Sequence, residues 1–169
     1  MKNDDRFQTR AIHIGNEPDK ESGAVAPPIH LTSTFEQEAV GKDKGFDYSR
    51  GGNPTRRRLE ENLATLEKGN YGLVFASGMA ATTTIFQTLS SGDHVIIGRN
   101  VYGGTYRMTV EVLSNHGIDF EFVDTRSLEK IRSSIKENTR LIFVETPTNP
   151  LLELCDIENT SKICKDHNI

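Results

Sequence analysis

A chain of 169 residues, 35% hydrophobic and 26% charged, is long enough for one domain with a real apolar core. Its 20 Lys and Arg against 24 Asp and Glu give a formal charge of −4, which argues against a dedicated nucleic-acid binder, since neutralising phosphates takes clustered cations. No apolar run approaches the roughly 20 residues of a membrane span, and no hydrophobic core follows Met1 to Arg6, so neither a spanning helix nor a secretory leader is expected. Cys155 and Cys164 have no metal-ligand spacing and do not make a disulfide scaffold, which suits a reduced, cytoplasmic protein.

Residues 1–54 carry no sustained periodicity and are broken by many Gly and Pro, so they read as an extended N-terminal arm. A stretch this long is either a disordered tail or a segment that works on another surface. Ile29, Leu31, Phe35, Phe46 and Tyr48 speak for the second, because a solvated tail does not need them. Tyr48 and Arg50 stand two residues apart. In extended chain such positions project the same way, so a phenol and a guanidinium can converge on one phosphate. Arg56, Arg57 and Arg58 lie on consecutive helical positions, cannot all face one point, and read mostly as a solvated face.

From Thr55 the pattern changes. Thr55 caps a helix whose Leu59, Leu63 and Leu66 share a face and which ends at Gly69. Tyr71 to Ala76 is a short apolar run that reads as a buried strand. Met79 to Leu89 is helical, His94 to Gly98 a strand, and Thr105 to His116 a helix with Val112 and Leu113 on its apolar side. Asp119 to Val123 is a strand, Leu128 to Lys136 a helix, Arg140 to Glu145 a strand, and Asp156 to His167 a helix carrying Ile157, Ile163 and Cys164. The alternation implies an α/β fold with a mostly parallel sheet covered on both faces and right-handed crossovers. Such sheets bind ligands beyond the carboxyl ends of their strands.

Three strand ends carry unusual residues. At Ser77-Gly78-Met79 a strand turns directly into a helix, whose N–H groups and positive dipole end suit a phosphate; the bland alternative is a tight turn. Walker and dinucleotide glycine patterns are both missing there. At Tyr102-Gly103-Gly104 two glycines clear space beside an aromatic ring, so a flat heteroaromatic ligand can stack on Tyr102, unless this is a surface turn with a packed ring. At Glu145 to Pro150 two prolines stiffen a loop and fix Asn149, whose amide can donate to a ligand oxygen, unless the loop is only a rigid connector.

The ordered set Tyr48-Ser-Arg50-Gly-Gly-Asn-Pro-Thr55, Ser77-Gly-Met-Ala-Ala81, Val101-Tyr-Gly-Gly-Thr105 and Glu145-Thr-Pro-Thr-Asn-Pro150 resembles the Cys/Met-metabolism family of pyridoxal-phosphate enzymes. Each motif is weak alone, and the set is highly specific. The likeness includes Thr9-Arg-Ala-Ile-His13 and spans the whole chain, but only the front part of the family's length. It implies the PLP-dependent transferase fold (aspartate-aminotransferase-like, fold type I): an arm, 1–54, contacting a neighbouring subunit, and the first part of the cofactor-binding large domain, 55–169.

The resemblance also implies roles. Tyr48 and Arg50 would bind the cofactor phosphate of the neighbouring subunit, with Arg50 near substrate as well. Ser77, Gly78 and Met79 would hold the phosphate within the same subunit. Tyr102 would stack on the pyridine ring and take part in catalysis, Asn149 would contact the ring's phenolic oxygen, and Arg107 would lie near the amino-acid substrate. No metal is implied. Pyridoxal 5′-phosphate would be the cofactor, in a homo-oligomer of site-sharing dimers, a tetramer when assembled.

Two family elements are missing: the Asp that pairs with the pyridine nitrogen and the Lys that forms the Schiff base. Both are expected after Ile169, so this chain alone is expected to be inactive and to be the N-terminal portion of a longer enzyme. The aromatic-Gly-Gly-Thr motif resembles the cystathionine γ-synthase and γ-lyase branch, which works by elimination or replacement at the β or γ carbon of homoserine- or cysteine-derived amino acids. Methionine γ-lyases usually carry Cys where Gly104 stands, which weighs against that activity. Alternatives are a non-catalytic phosphate-binding module pairing with a full-length relative, or O-acetylhomoserine sulfhydrylase or methionine γ-lyase activity in the complete enzyme.

Overall fold

In the computed structural model, which describes residues 6–169, the arm opens with a helix, α1 (Phe7–His13). The chain divides into two compact units, Met1–Phe75 and Ala76–Ile169.

In the first unit α1 packs on α2 (Pro54–Leu66). Contacts between polar side chains and backbone carbonyls hold them together. Arg10, nearly buried, donates to Thr65 O at 2.6 Å. Asn62 Nδ2 donates to Arg10 O, Ala11 O and Ile14 O at 3.2, 3.3 and 2.7 Å. The arm is therefore neither elementless nor wholly free of its own unit. Periodicity could not reveal a seven-residue helix whose partners are carbonyls.

Asn53, not Thr55, caps α2: its side chain accepts from Thr55 N at 2.9 Å, and Pro54 takes the first helical position. The Thr55 hydroxyl instead accepts from His30 N. The three arginines face different ways, as helical spacing requires, and each has a partner; Arg57 is exposed and Arg56 and Arg58 are half-buried. Arg56 reaches the Ser49 and Gly51 carbonyls, Arg57 pairs with Glu61 at 2.9 Å, and Arg58 donates to Gly15 O and Glu17 O. Leu59 and Leu63 remain exposed.

Tyr71 to Ala76 does not form the expected strand. Residues 71–75 carry no regular secondary structure and pair with no strand, Tyr71 is 89% exposed, and the segment is tied to α2 where Glu60 Oε1 accepts from Val74 N. Strand status needs a neighbouring ladder, and the described residues place none beside it.

The second unit is the α/β layer. Strands β1 (His94–Gly98), β2 (Asp119–Val123) and β3 (Thr139–Phe143) form a parallel sheet in the order β2-β1-β3. All of β1 is buried, as a central strand covered on both faces must be. One face presents Val95 and Ile97, with Phe120 and Phe122 beside them on β2 and Leu141 and Phe143 on β3; α3 (Gly78–Phe86) covers it through Phe86. Beyond β1, α4 (Gly103–Arg107) passes into a π-helical turn (Met108–Val112) and a 3₁₀ turn (Leu113–His116), not the single helix expected. The change of pitch brings Met108 and Leu113 onto the core and leaves Val112 exposed.

The opposite face carries Ile96. Helices α5 (Leu128–Ser133) and α6 (Ile157–His167) pack together there, each with a fully buried isoleucine, Ile131 and Ile163. Ile157 is exposed. Ser127 and Asp156 cap these helices. Cys155 and Cys164 are free thiols.

At the amino end of the sheet His94 is fully buried. Its Nδ1 lies 2.8 Å from Thr139 Oγ1, and its Nε2 faces Glu121 Oε2 at 3.5 Å. Thr139 Oγ1 already accepts from Lys136 N, so its proton is free for Nδ1, while Nε2 is buried without a hydrogen-bond partner. Burial pushes the imidazole pKa below its ordinary value, helped by Lys136 and opposed by Asp119 and Glu121. The unfolded chain therefore takes up a proton that the folded chain refuses, and stability falls as pH drops through the ordinary histidine range. Urea midpoints at pH 7.5 and 5.5 should show this loss, and His94→Gln should remove most of it; an unchanged slope in the variant refutes the assignment.

Candidate active site

The sheet order makes a crevice. The chain leaves β1 toward β2 over the face covered by α3 and α4, and returns to the other side of β1 through α5, which packs with α6 on the opposite face. The loops after β1 and β3 thus diverge, and a ligand-sized gap opens between neighbouring strands at their carboxyl ends.

A recess of about 430 Å³ lies there, lined by Ser77, Gly78, Met79, Tyr102, Thr105 and Glu145 among others. Ser77 caps α3, and its hydroxyl accepts from Ala80 N at 3.1 Å. The N–H groups of Gly78 and Met79 come before any intrahelical acceptor is available, so the helix presents two donors and its positive dipole end. A Cβ added at Gly78 would meet nothing within 4 Å, so the backbone there is open to an incoming anion. A phosphate monoester fits this donor set.

Tyr102 lines the same recess. It is the residue before α4; its carbonyl accepts from Tyr106 N at 3.1 Å and its own N–H donates to Glu145 Oε2 at 2.8 Å. Tyr102 is 61% exposed, which leaves its ring open to stacking. Gly104 clears the space beside it: a Cβ there would lie 2.5 Å from Tyr102 Cε1 and 3.0 Å from Met79 Sδ. A phosphate cradle and a stackable ring lining one recess suit a phosphorylated flat heterocycle.

Arg107 and Asn149 line a neighbouring recess of about 290 Å³ together with Val101 and Gly103. The structure therefore groups Ser77, Gly78, Met79 and Tyr102 in one hollow and Arg107 with Asn149 in the next, and the segment 101–107 contributes to both. The Asn149 loop is held from behind. Thr148 N donates to Glu153 O, Leu152 N to Thr148 O, and the Glu153 carboxylate accepts from Arg99 at 2.8 Å and Asn100 at 2.6 Å. Arg126 joins Glu153 to Asp124. The Arg99 bond holds the Glu153 carboxyl below its ordinary range, and the Arg126 bond does the same for Asp124, so both stay ionised. Sequence reasoning passed over this network; Arg99 and Asp124, each directly after a strand on the ligand-binding edge, were the available signal.

Tyr48 and Arg50 belong to the first unit. Tyr48 bridges to Thr34 and is followed by a turn in which Gly51 N and Gly52 N both donate to Tyr48 O. Arg50 is therefore in a turn, not the expected extended chain. The two side chains still converge: Arg50 Nη2 donates to Tyr48 Oη at 3.3 Å, and the guanidinium carbon lies 5.4 Å from the ring centre. Among the described residues no group of three or more His, Cys, Asp or Glu could hold a metal ion, and no helix is long and apolar enough to cross a membrane.

The chain is similar to known proteins. A family model described as Cys/Met metabolism PLP-dependent enzyme matches residues 8–169. A protein named probable cystathionine gamma-synthase from Herpetosiphon aurantiacus is 50% identical over 163 residues, covering 96% of this chain and 51% of that protein. A cystathionine beta-lyase from Lactococcus lactis subsp. cremoris is 45% identical, covering 96% of this chain and 43% of its own length. The crystal structure of cystathionine gamma-lyase from Lactobacillus plantarum complexed with L-serine superposes with a TM-score of 0.91 at 45% identity, covering 98% of this chain and 43% of that one. The chain thus spans about half the length of the relatives it matches, and its α/β unit is a partial fold type I domain.

The contact at Gly104 makes a prediction. Gly104→Ala should drive the exposed Tyr102 ring out of its position, with a stability change within about 1 kcal/mol because a free ring yields more easily than a core. Ring resonances of Tyr102 and a urea melt check both; an unmoved ring contradicts the account.

Proposed function

This chain belongs to the Cys/Met metabolism PLP-dependent enzyme family, and from that premise we propose that it is the N-terminal part of a transsulfuration enzyme of the cystathionine γ-synthase or γ-lyase type. The reaction class is elimination or replacement at the β or γ carbon of homoserine- or cysteine-derived amino acids. The observation that carries this reading is the shared recess, lined both by the first turn of α3 and by Tyr102.

Pyridoxal 5′-phosphate, when bound, supplies an electron sink that acidifies the substrate's α-carbon. The chain's own residues do the rest. Ser77 orders the first turn of α3, and the Gly78 and Met79 N–H groups hold the phosphate against the helix dipole. Tyr102 stacks on the ring and keeps its phenolic oxygen near the reacting carbons, where it holds or passes a proton. Asn149 donates its amide to the ring's phenolic oxygen, and Arg107 faces the substrate side. Tyr48 and Arg50, already paired, reach the phosphate of a neighbouring subunit and bring Arg50 to its substrate, which makes residues 1–54 an intersubunit arm and 55–169 the cofactor domain. The working form is then a homo-oligomer of site-sharing dimers, assembling as a tetramer in the cytoplasm.

No lysine lines the recess among the described residues, which supports a segment that binds and orients while the Schiff-base Lys is supplied from elsewhere. Two measurements test the reading. Borohydride reduction of this chain with pyridoxal 5′-phosphate should leave no specifically labelled lysine. The gene product read through beyond Ile169 should act on cystathionine, or on an O-acylhomoserine with cysteine, and Tyr102→Phe should lower kcat by on the order of a hundredfold. A single labelled lysine in this chain, or an unimpaired Tyr102→Phe enzyme, overturns it.

A further inference from the structure

Tyr102 is held in place by very little. Gly103 and Gly104 follow it and bring no side chain to anchor the turn, the ring is mostly exposed, and Tyr102 itself makes no side-chain cap to α4. Its backbone is fixed from two sides: the carbonyl accepts from Tyr106 N within the helical turn, and the N–H donates to Glu145 Oε2 at 2.8 Å. Only the second bond crosses from one strand end to another, from the turn after β1 to the residue two beyond β3. A carboxylate accepting from a backbone N–H forms a charge-assisted bond, stronger than its neutral equivalent.

The same carboxylate lines the recess that presents the α3 N–H groups. A negative charge in that wall works against a bound phosphate, so Glu145 is not there to attract the anion. Resting on the reading above, we infer that Glu145 is a positioning residue for Tyr102: it sets the direction of the Cα–Cβ bond at the start of α4 and thereby holds the ring over the recess, in register with the phosphate cradle across the gap. The positioning acts on the ring and not on the phosphate.

Two probes separate these effects: pyridoxamine 5′-phosphate, which has a ring and a phosphate but no aldehyde to label lysines at random, and inorganic phosphate, which has no ring. Titrated into the full chain, Glu145→Ala should weaken pyridoxamine 5′-phosphate about tenfold and remove the shift of the Tyr102 ring resonances, while inorganic phosphate binds as well as before or better. Glu145→Gln keeps an acceptor oxygen and should recover most of the ring response. Equal weakening of both probes, or an unaltered ring response in Glu145→Ala, overturns the inference. Amide hydrogen exchange at Tyr102 decides the matter independently of ligand: it should rise about tenfold in Glu145→Ala and stay near wild type in Glu145→Gln. If the wild-type chain ignores pyridoxamine 5′-phosphate, the cofactor reading fails, and an unchanged exchange rate at Tyr102 still overturns the positioning role on its own.

Discussion

The candidate site depends first on the parallel pairing of β1 with strands on both of its sides. A strand buried on both faces needs helices above and below it, and a strand paired on both edges forces the chain to leave in one direction and return in the other. The divergence of the loops after β1 and β3 follows from that connectivity. It brings Tyr102 and Glu145, 43 residues apart in sequence, to a 2.8 Å hydrogen bond. The apolar residues of β1, β2 and β3 thus do chemistry indirectly: Val95, Ile97, Phe122 and Phe143 fix the sheet whose edge is the site.

The first unit is organised differently. Its helices meet through guanidinium and carboxamide donors aimed at carbonyl oxygens, with Arg10, Arg58 and Asn62 reaching across 41 to 55 residues of sequence. Such bonds satisfy the carbonyls of a segment too short and irregular to satisfy itself.

Much of this was legible in the sequence. His94 to Gly98 and Asp119 to Val123 are strands at the bounds read from β-branched and aromatic content, because a buried parallel strand is a continuous apolar run. The turn at Ser77 declared itself by a cap residue before Gly78, and the clearance at Gly104 by two glycines after an aromatic. What was not legible depended on partners distant in sequence. Tyr71 to Ala76 has strand composition but no ladder beside it, and composition cannot report a missing neighbour. The π-helical turn after α4 keeps helical composition while changing pitch, so Val112 leaves the face on which 3.6-residue spacing puts it. The contacts of Arg56 and Arg58 were not legible because their acceptors are backbone carbonyls, which carry no sequence signal.

The ion network behind Asn149 shows how the edge of the sheet acts as a unit. An isolated surface pair contributes little, because water and salt screen it and two long side chains lose freedom. Here Glu153 is shared by Arg99, Asn100 and Arg126, and Asp124 by Arg99, Arg126 and Lys130, with both carboxylate side chains largely covered. Sharing lets each cation remain oriented by one acceptor while it serves another, so ordering a side chain once satisfies two contacts. The members come from the ends of β1 and β2, the start of α5 and the loop after β3. Moving the Asn149 loop would therefore disturb every strand end at once. Glu145 ties that loop to Tyr102 on the side of the recess, and Glu153 ties it to Arg99 and Asn100 on the side away from it. A loop fixed at both ends to the chain that follows β1 keeps the two hollows in constant register.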